Sequence, residues 1–291
     1  MRFLTTTRYA TLTLALLGAG CAGTPPPAPG PAVAVQLWSV KDEVKRDFAG
    51  TLAKLAALGF DGVEFAGEFG PYRDDPAGLK AFLARAGLRC ASAHVALDRF
   101  SDAHFNATTR FYKAAACTDL IVPADHRAAS VAGSAQVARE LTGLSARLAP
   151  LGMRTGYHNH SEEMTGPDGQ TPWDALAKGT PDAVILQQDV GWTTYAGKDP
   201  ATYVRRYPGR SVSLHMKAKL APRTSGTPII GRDRTDWAAL MLAARATGGT
   251  AWLIVEQEEY PEGMGQIEAV AASLAGLRAV LAGHANPRPG P

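Results

Sequence analysis

A short apolar run followed by an amphipathic stretch recurs eight times between Val33 and Leu281, and nothing else in the sequence restricts the fold so tightly. The runs are 33–38, 62–65, 89–94, 120–123, 153–158, 183–189, 212–217 and 252–256. Apolar residues at helical spacing follow each, over 48–58, 79–86, about 111–116, 135–148, 173–177, 200–207, 237–247 and 267–281. Phe48, Leu52, Leu55 and Leu58 show the pattern, closed by Gly59 where a left-handed cap belongs. Continuous apolar strands alternating with helices predict a parallel sheet buried on both faces. Eight such units in 291 residues predict one α/β domain, a closed (β/α)8 barrel. An open doubly wound sheet is the alternative, but no Gly-x-Gly-x-x-Gly turn follows the first run to support it.

The barrel domain is expected to occupy 33–291. Residues 1–21 read as an export signal: Arg2 and Arg8 make a positive start, Leu12 to Leu17 are too few to span a bilayer, and Gly18-Ala19-Gly20 precede Cys21. The arrangement resembles a bacterial lipoprotein signal. That resemblance implies lipidation of Cys21 and a periplasmic or membrane-anchored protein whose membrane contact is the lipid; a plain secretory signal is the alternative. Residues 22–32, with Pro25-Pro26-Pro27, Pro29 and Pro31, predict an extended tether. Cys90 and Cys117 are expected as buried, unpaired small hydrophobes rather than a disulfide. A formal net charge of +3 with no basic tract argues against nucleic acid as a partner. A homo-oligomer is compatible with the sequence.

A parallel barrel brings the C-terminal ends of all its strands to one mouth. There the sequence places Glu64 on the second strand, His94 on the third, His158 and His160 on the fifth, Asp189 on the sixth, His215 and Lys217 on the seventh, and Glu256 on the eighth. Residues i and i+2 of a strand face one side, so each pair on strands five and seven shares a direction. His158, Asp189, His215 and Glu256 put nitrogen and oxygen donors on four consecutive strands, which predicts a site for one divalent metal. Two imidazoles with two carboxylates suit manganese, zinc, cobalt or iron over calcium. Taken singly, Asp189 is also a natural N-cap, His215 a core histidine, and Glu256 part of the solvated run Glu256-Gln257-Glu258-Glu259. Taken together in the mouth of an apolar barrel, they need partners, and a cation supplies one. Lys217 reads either as a cation aimed at a substrate oxygen or as a surface lysine at a strand end.

Seven motifs in strand order now carry a family resemblance: Gln36-Leu37-Trp38-Ser39-Val40, Gly59-Phe60-Asp61-Gly62-Val63-Glu64, Tyr157-His158-Asn159-His160, Gln188-Asp189-Val190-Gly191-Trp192, Tyr207-Pro208-Gly209-Arg210, Leu214-His215-Met216-Lys217 and Val255-Glu256-Gln257. Together they resemble the sugar phosphate isomerase/epimerase group of xylose-isomerase-like TIM barrels, from about Val33 to Leu281. The resemblance implies one divalent ion held by Glu, Asp, His and Glu on strands five to eight. Those positions here are His158, Asp189, His215 and Glu256, so histidine replaces the first glutamate, which in related isomerases also moves the proton. His160 is then the candidate base, by similarity to dehydratases of the superfamily with a histidine two residues past that ligand and a lysine at the position of Lys217.

This constellation implies proton abstraction beside a carbonyl. Return of the proton isomerises or epimerises; loss of a β-leaving group eliminates. The export signal and the lack of a Gly-rich phosphate cradle favour an unphosphorylated sugar or keto-sugar, with a 3-keto-glycoside lyase or hydratase as the alternative on the same site. Glu64 and His94 are expected to meet substrate hydroxyls. Trp38 and Trp192, with Phe65 and Tyr260, are expected either to stack on sugar faces or to pack the barrel. A nuclease of endonuclease IV type needs more metal ligands and a phosphate footprint. A non-catalytic sugar-binding lipoprotein is the rival from another class, since a fold does not establish turnover.

Overall fold

Eight parallel strands close on themselves: β1 (Ala32–Gln36), β2 (Gly62–Phe65), β3 (Arg89–His94), β4 (Asp119–Val122), β5 (Arg154–His158), β6 (Ile185–Asp189), β7 (Ser213–Met216) and β8 (Trp252–Val255), with β8 pairing back onto β1. The computed structural model describes residues 30–283 apart from 224, 225, 248 and 262. The signal 1–21 with Cys21, and residues 22–29 of the tether, lie outside the described residues.

Alternation along the strands builds two interiors. Val35, Val63, Leu214, Leu253 and Val255 turn outward to a layer with Leu52, Leu55, Leu79 and Leu274 of the surrounding helices. The opposite faces turn into the barrel, where Ala34, Ala91 and Ile254 form a small apolar cluster with Trp252. The helix Phe48–Leu58 shows why the chain folds this way locally. The Asp47 side chain accepts from the Gly50 amide at its start, Gly59 ends it at φ 90°, and Phe48, Leu52 and Leu55 are buried. Truncating a buried leucine of this layer costs about 2–5 kcal/mol, so the stripe fixes the helix on the sheet.

Two departures from the sequence expectation have a clear local cause. The first strand stops at Gln36 because Oε1 of that residue accepts from the Trp38 amide at 3.1 Å, turning 37–40 into a 3-10 helix. The helix expected near 111–116 runs Phe105–Ala114; its early turns carry Thr108 and Thr109, whose hydroxyls donate to Arg99 O and Phe105 O. Polar residues there hide the apolar period.

The expectation of unpaired cysteines is corrected: Cys90 and Cys117 form a disulfide. The cause is strand register. Ala93 of β3 stands beside Leu120 of β4, so three residues earlier Cys90 meets Cys117, with Cα atoms 5.2 Å apart. That separation lies within the roughly 4.4–6.8 Å a disulfide spans. Such bonds persist in oxidising compartments.

Candidate metal centre

β5, β6, β7 and the residue after β8 bring His158, Asp189, His215 and Glu256 together, all buried, with one donor atom of each within 4.8 Å of the others. Glycine makes two of these approaches possible. A Cβ on Gly156 would lie 2.6 Å from Ile185 O, so the glycine lets β5 meet β6 closely two residues before His158. A Cβ on Gly191 would lie 2.7 Å from Lys217 Cγ, so that glycine leaves a path for the lysine.

Asp189 serves twice. Its Oδ1 accepts from the Trp192 amide at 2.7 Å, capping the short helix Val190–Tyr195, while Oδ2 is buried, makes no hydrogen bond and faces the Lys217 ammonium at 3.1 Å. His158 Nε2 stands 3.9 Å from that Oδ2, and its Nδ1 is likewise buried without a hydrogen-bond partner. A buried ring nitrogen without a hydrogen-bond partner on His158, beside an Asp189 oxygen that makes an ion pair but no hydrogen bond, leaves donors for a cation. The residues therefore fit a single divalent metal. His94, His158 and His215 form a second, overlapping group, but His94 Nε2 is committed to Gln187 Oε1 at 2.9 Å.

Below the set lies a polar layer that orders it. Glu64 accepts from Ser92 Oγ (2.5 Å) and Gln187 Nε2 (2.7 Å) on one oxygen, and from Gln36 Nε2 (2.6 Å) and His215 Nε2 (2.5 Å) on the other. A carboxylate has about four acceptor positions, and all are filled. Glu64 was expected to meet substrate hydroxyls; instead it is wholly buried and positions His215. With Nε2–H given to Glu64, the other ring nitrogen of His215 aims at Glu256 Oε2 (2.8 Å) and Asp189 Oδ2 (4.0 Å). A carboxylate behind a ligating imidazole fixes its tautomer and raises its basicity. Glu64→Gln is accordingly expected to weaken zinc or manganese binding about 10–100-fold, read by competition with a chelator. Unchanged affinity would assign Glu64 to packing alone.

The electrostatics follow from this crowding. Burial would raise the Glu64 carboxyl, but His94 and His215 outweigh it and bring it to about 2. Burial likewise opposes charge on His215, and Glu64 with Glu256 overcomes it, raising the imidazole to about 10. Asp189 is pushed up to about 6 by burial, against the pull of Lys217. His158 is driven well down by burial and by the neighbouring His215 and His94.

Lys217 is 2% exposed, and its Nζ lies 2.8 Å from Glu258 Oε2, 2.9 Å from Glu256 Oε2 and 3.1 Å from Asp189 Oδ2. Burial would lower this lysine, and the three carboxylates override it to hold the ammonium charged. The surface-lysine alternative does not describe it.

His160 sits at the lip. Its ring centroid is 5.1 Å from that of His158 and 5.4 Å from that of Trp192, and the ring makes no hydrogen bond to another described residue. Burial lowers its pKa, with Glu163 acting against and Lys217 reinforcing the shift. Glu163, which the sequence reading missed, is buried beside it; it accepts from the His160 amide at 2.8 Å and from the Tyr157 hydroxyl at 2.9 Å. Asn159, between the two histidines, accepts from the Asp189 amide at 2.8 Å and ties β5 to β6.

Of the residues expected to meet substrate, Trp38 is 45% exposed with Lys41 over its ring, and His94 retains a partly open edge. Trp192 is half-buried, with Lys219 Nζ 4.1 Å from its ring centre. Phe65 is core, and the Tyr260 hydroxyl donates to Ser39 O.

No family model matches the chain. A rhizopine catabolism protein, MocC, of Rhizobium meliloti is 27% identical over 139 residues, 42% of this chain and 42% of that protein, so the match spans less than half of the curated relative. Among solved structures, a sugar phosphate isomerase/epimerase from Parabacteroides distasonis superposes with a TM-score of 0.71 at 21% identity, over 88% of this chain and 98% of its own. The IOLI protein, solved with a bound zinc atom, superposes with a TM-score of 0.65 at 14% identity, over 87% of this chain and 99% of its own. The chain thus has the fold of the xylose-isomerase-like TIM barrels.

Proposed function

We propose that this xylose-isomerase-like barrel is a divalent-metal-dependent enzyme that removes a proton next to a carbonyl of an unphosphorylated sugar or keto-sugar. The observation that carries the reading is the buried set of His158, Asp189, His215 and Glu256 with the unpartnered Nδ1 of His158, beside a His160 ring that makes no hydrogen bond to another described residue. When bound, a divalent ion supplies polarisation of a carbonyl and an adjacent hydroxyl, which acidifies the C–H between them. His160 takes that proton, because its ring lies 5.1 Å from that of His158 and makes no hydrogen bond to another described residue. Returning the proton to the same or the neighbouring carbon isomerises or epimerises; expelling a β-substituent instead eliminates. Lys217 balances the clustered carboxylates and stands two residues beyond His215, where it would donate to a substrate oxygen in exchange for one of its three carboxylate contacts. Trp38 offers an exposed apolar face to a sugar ring.

The name of the superposed sugar phosphate isomerase/epimerase supports sugar chemistry in this fold, and the zinc of the IOLI protein supports a divalent metal in it. The test is a screen in heavy water. Protein purified without chelator is expected to carry one equivalent of divalent ion and to place deuterium in at least one member of an aldose, ketose and keto-glycoside panel, seen by NMR. Sugar binding that persists with no stoichiometric metal and no deuterium uptake would leave a binding protein in place of an enzyme.

A further inference from the structure

Between the loop after β2 and the helix Phe105–Ala114 lies a cavity of about 900 Å³ with His94 in its wall. His94 also borders the metal centre: its ring is 5.0 Å from that of His158 and 5.3 Å from that of His215. Cavity and centre therefore share a wall. Sites for drug-sized ligands measure ~300–1,000 Å³, so a single sugar ring at the metal leaves most of this space unused.

The lining is amphipathic and carries excess positive charge. Half-buried Phe69 supplies ring surface with Tyr112 buried behind it, while the exposed Arg73, Arg99 and Arg110 stand against the single carboxylate of Asp74. Several arginines elsewhere are matched, Arg127 to Asp125 and Glu140, Arg154 to Asp119, and Arg206 to Asp174. In the cavity only Arg110 has a hydrogen bond, from Nε to Asn106 O, and the guanidiniums of Arg73 and Arg99 have no ion pair among the described residues. Unmatched guanidiniums on one concave, partly aromatic wall, continuous with a sugar-type centre, call for an anionic ligand held at a distance from the metal.

We propose that this cavity is a subsite for a second, carboxylate-bearing unit of the substrate, so that the chain acts on acidic glycosides or disaccharides rather than on free monosaccharides. The inference rests on reading the metal centre as a sugar site. A guanidinium fork matches a carboxylate in its plane, and the half-buried Phe69 ring offers its open side to an apolar sugar face. Carboxylate is preferred to phosphate because neither a Gly-rich loop nor a lysine lines the cavity.

The test is titration calorimetry of the full chain with matched pairs of disaccharides, neutral and uronic-acid-terminated, in the gluco, galacto and manno series. At least one acidic member is expected to bind about tenfold tighter than its neutral counterpart, the worth of one charge-assisted hydrogen bond. In the double variant Arg73→Gln/Arg99→Gln that preference is expected to disappear. A panel in which no acidic member outbinds its neutral partner overturns the proposal, as does a preference that survives in the double variant. Because the readout is binding, the result is independent of deuterium exchange at the metal centre: the subsite can fail while exchange on monosaccharides succeeds, and the reverse.

Discussion

His160→Ala is expected to retain a full complement of divalent ion while losing about 10²–10⁴-fold in turnover, the range that one positioned acid–base group contributes. The two histidines of the Tyr157-His158-Asn159-His160 run are separated by their surroundings. His158 lies inside the donor set, 2% exposed, with Nε2 toward Asp189; the His160 backbone is held by Glu163 while its ring makes no hydrogen bond to another described residue. His158→Ala should therefore weaken metal binding first and activity in consequence. Metal content by plasma emission spectroscopy, set beside deuterium exchange, separates the two variants. Equal metal loss in both would refute this division of labour. Glu163 complicates nothing in the comparison, because its two hydrogen bonds go to the His160 amide and the Tyr157 hydroxyl, both of which the alanine variant keeps.

How much of this was legible depends on the direction in which the information runs. Repetition along the chain gave the barrel, because eight βα units admit few closures. Alternation along single strands placed His158, Asp189, His215 and Glu256 at one mouth, since each stands within one residue of a strand end. The layer beneath was equally periodic but went unread. Ser92, Gln187 and Ser213 precede His94, Asp189 and His215 by two residues, so the rule that found the upper residues also points at these; being neutral, they did not announce themselves. What no local rule supplies is convergence across the barrel. Glu64 and His215 are 151 residues apart, and only closure of the sheet sets them 2.5 Å from each other. The cysteine pair failed for the same reason on a smaller scale, as the register of β3 against β4 decides it. Glu258 was hidden in a run of charges that looks solvated, yet its neighbour Gln257 is 1% exposed and Glu258 itself closes on Lys217.

That closure sets the second large expectation. Lys217→Met removes one ammonium from contact with Asp189, Glu256 and Glu258, and breaking a buried ion cluster on one side costs about 3–5 kcal/mol. Glu258 is 29% exposed on its side chain and remains solvated, so the cost falls on Asp189 and Glu256, which are nearly sealed from water. The oxygens that Lys217 touches on those two residues, Oδ2 and Oε2, lie in the donor set read as the metal centre. A divalent ion there meets the same charges that the lysine meets. Loss of stability in the variant is thus expected to be largest in the presence of chelator, and manganese at a hundred times its dissociation constant should return about 2.7 kcal/mol. Thermal unfolding with and without metal measures both quantities, and an added response to manganese larger in the variant than in the parent chain is the signature. A variant as stable as the parent in chelator would show that the three carboxylates do not depend on the lysine. A variant that is destabilised yet indifferent to metal would remove Asp189 and Glu256 from the ligand set.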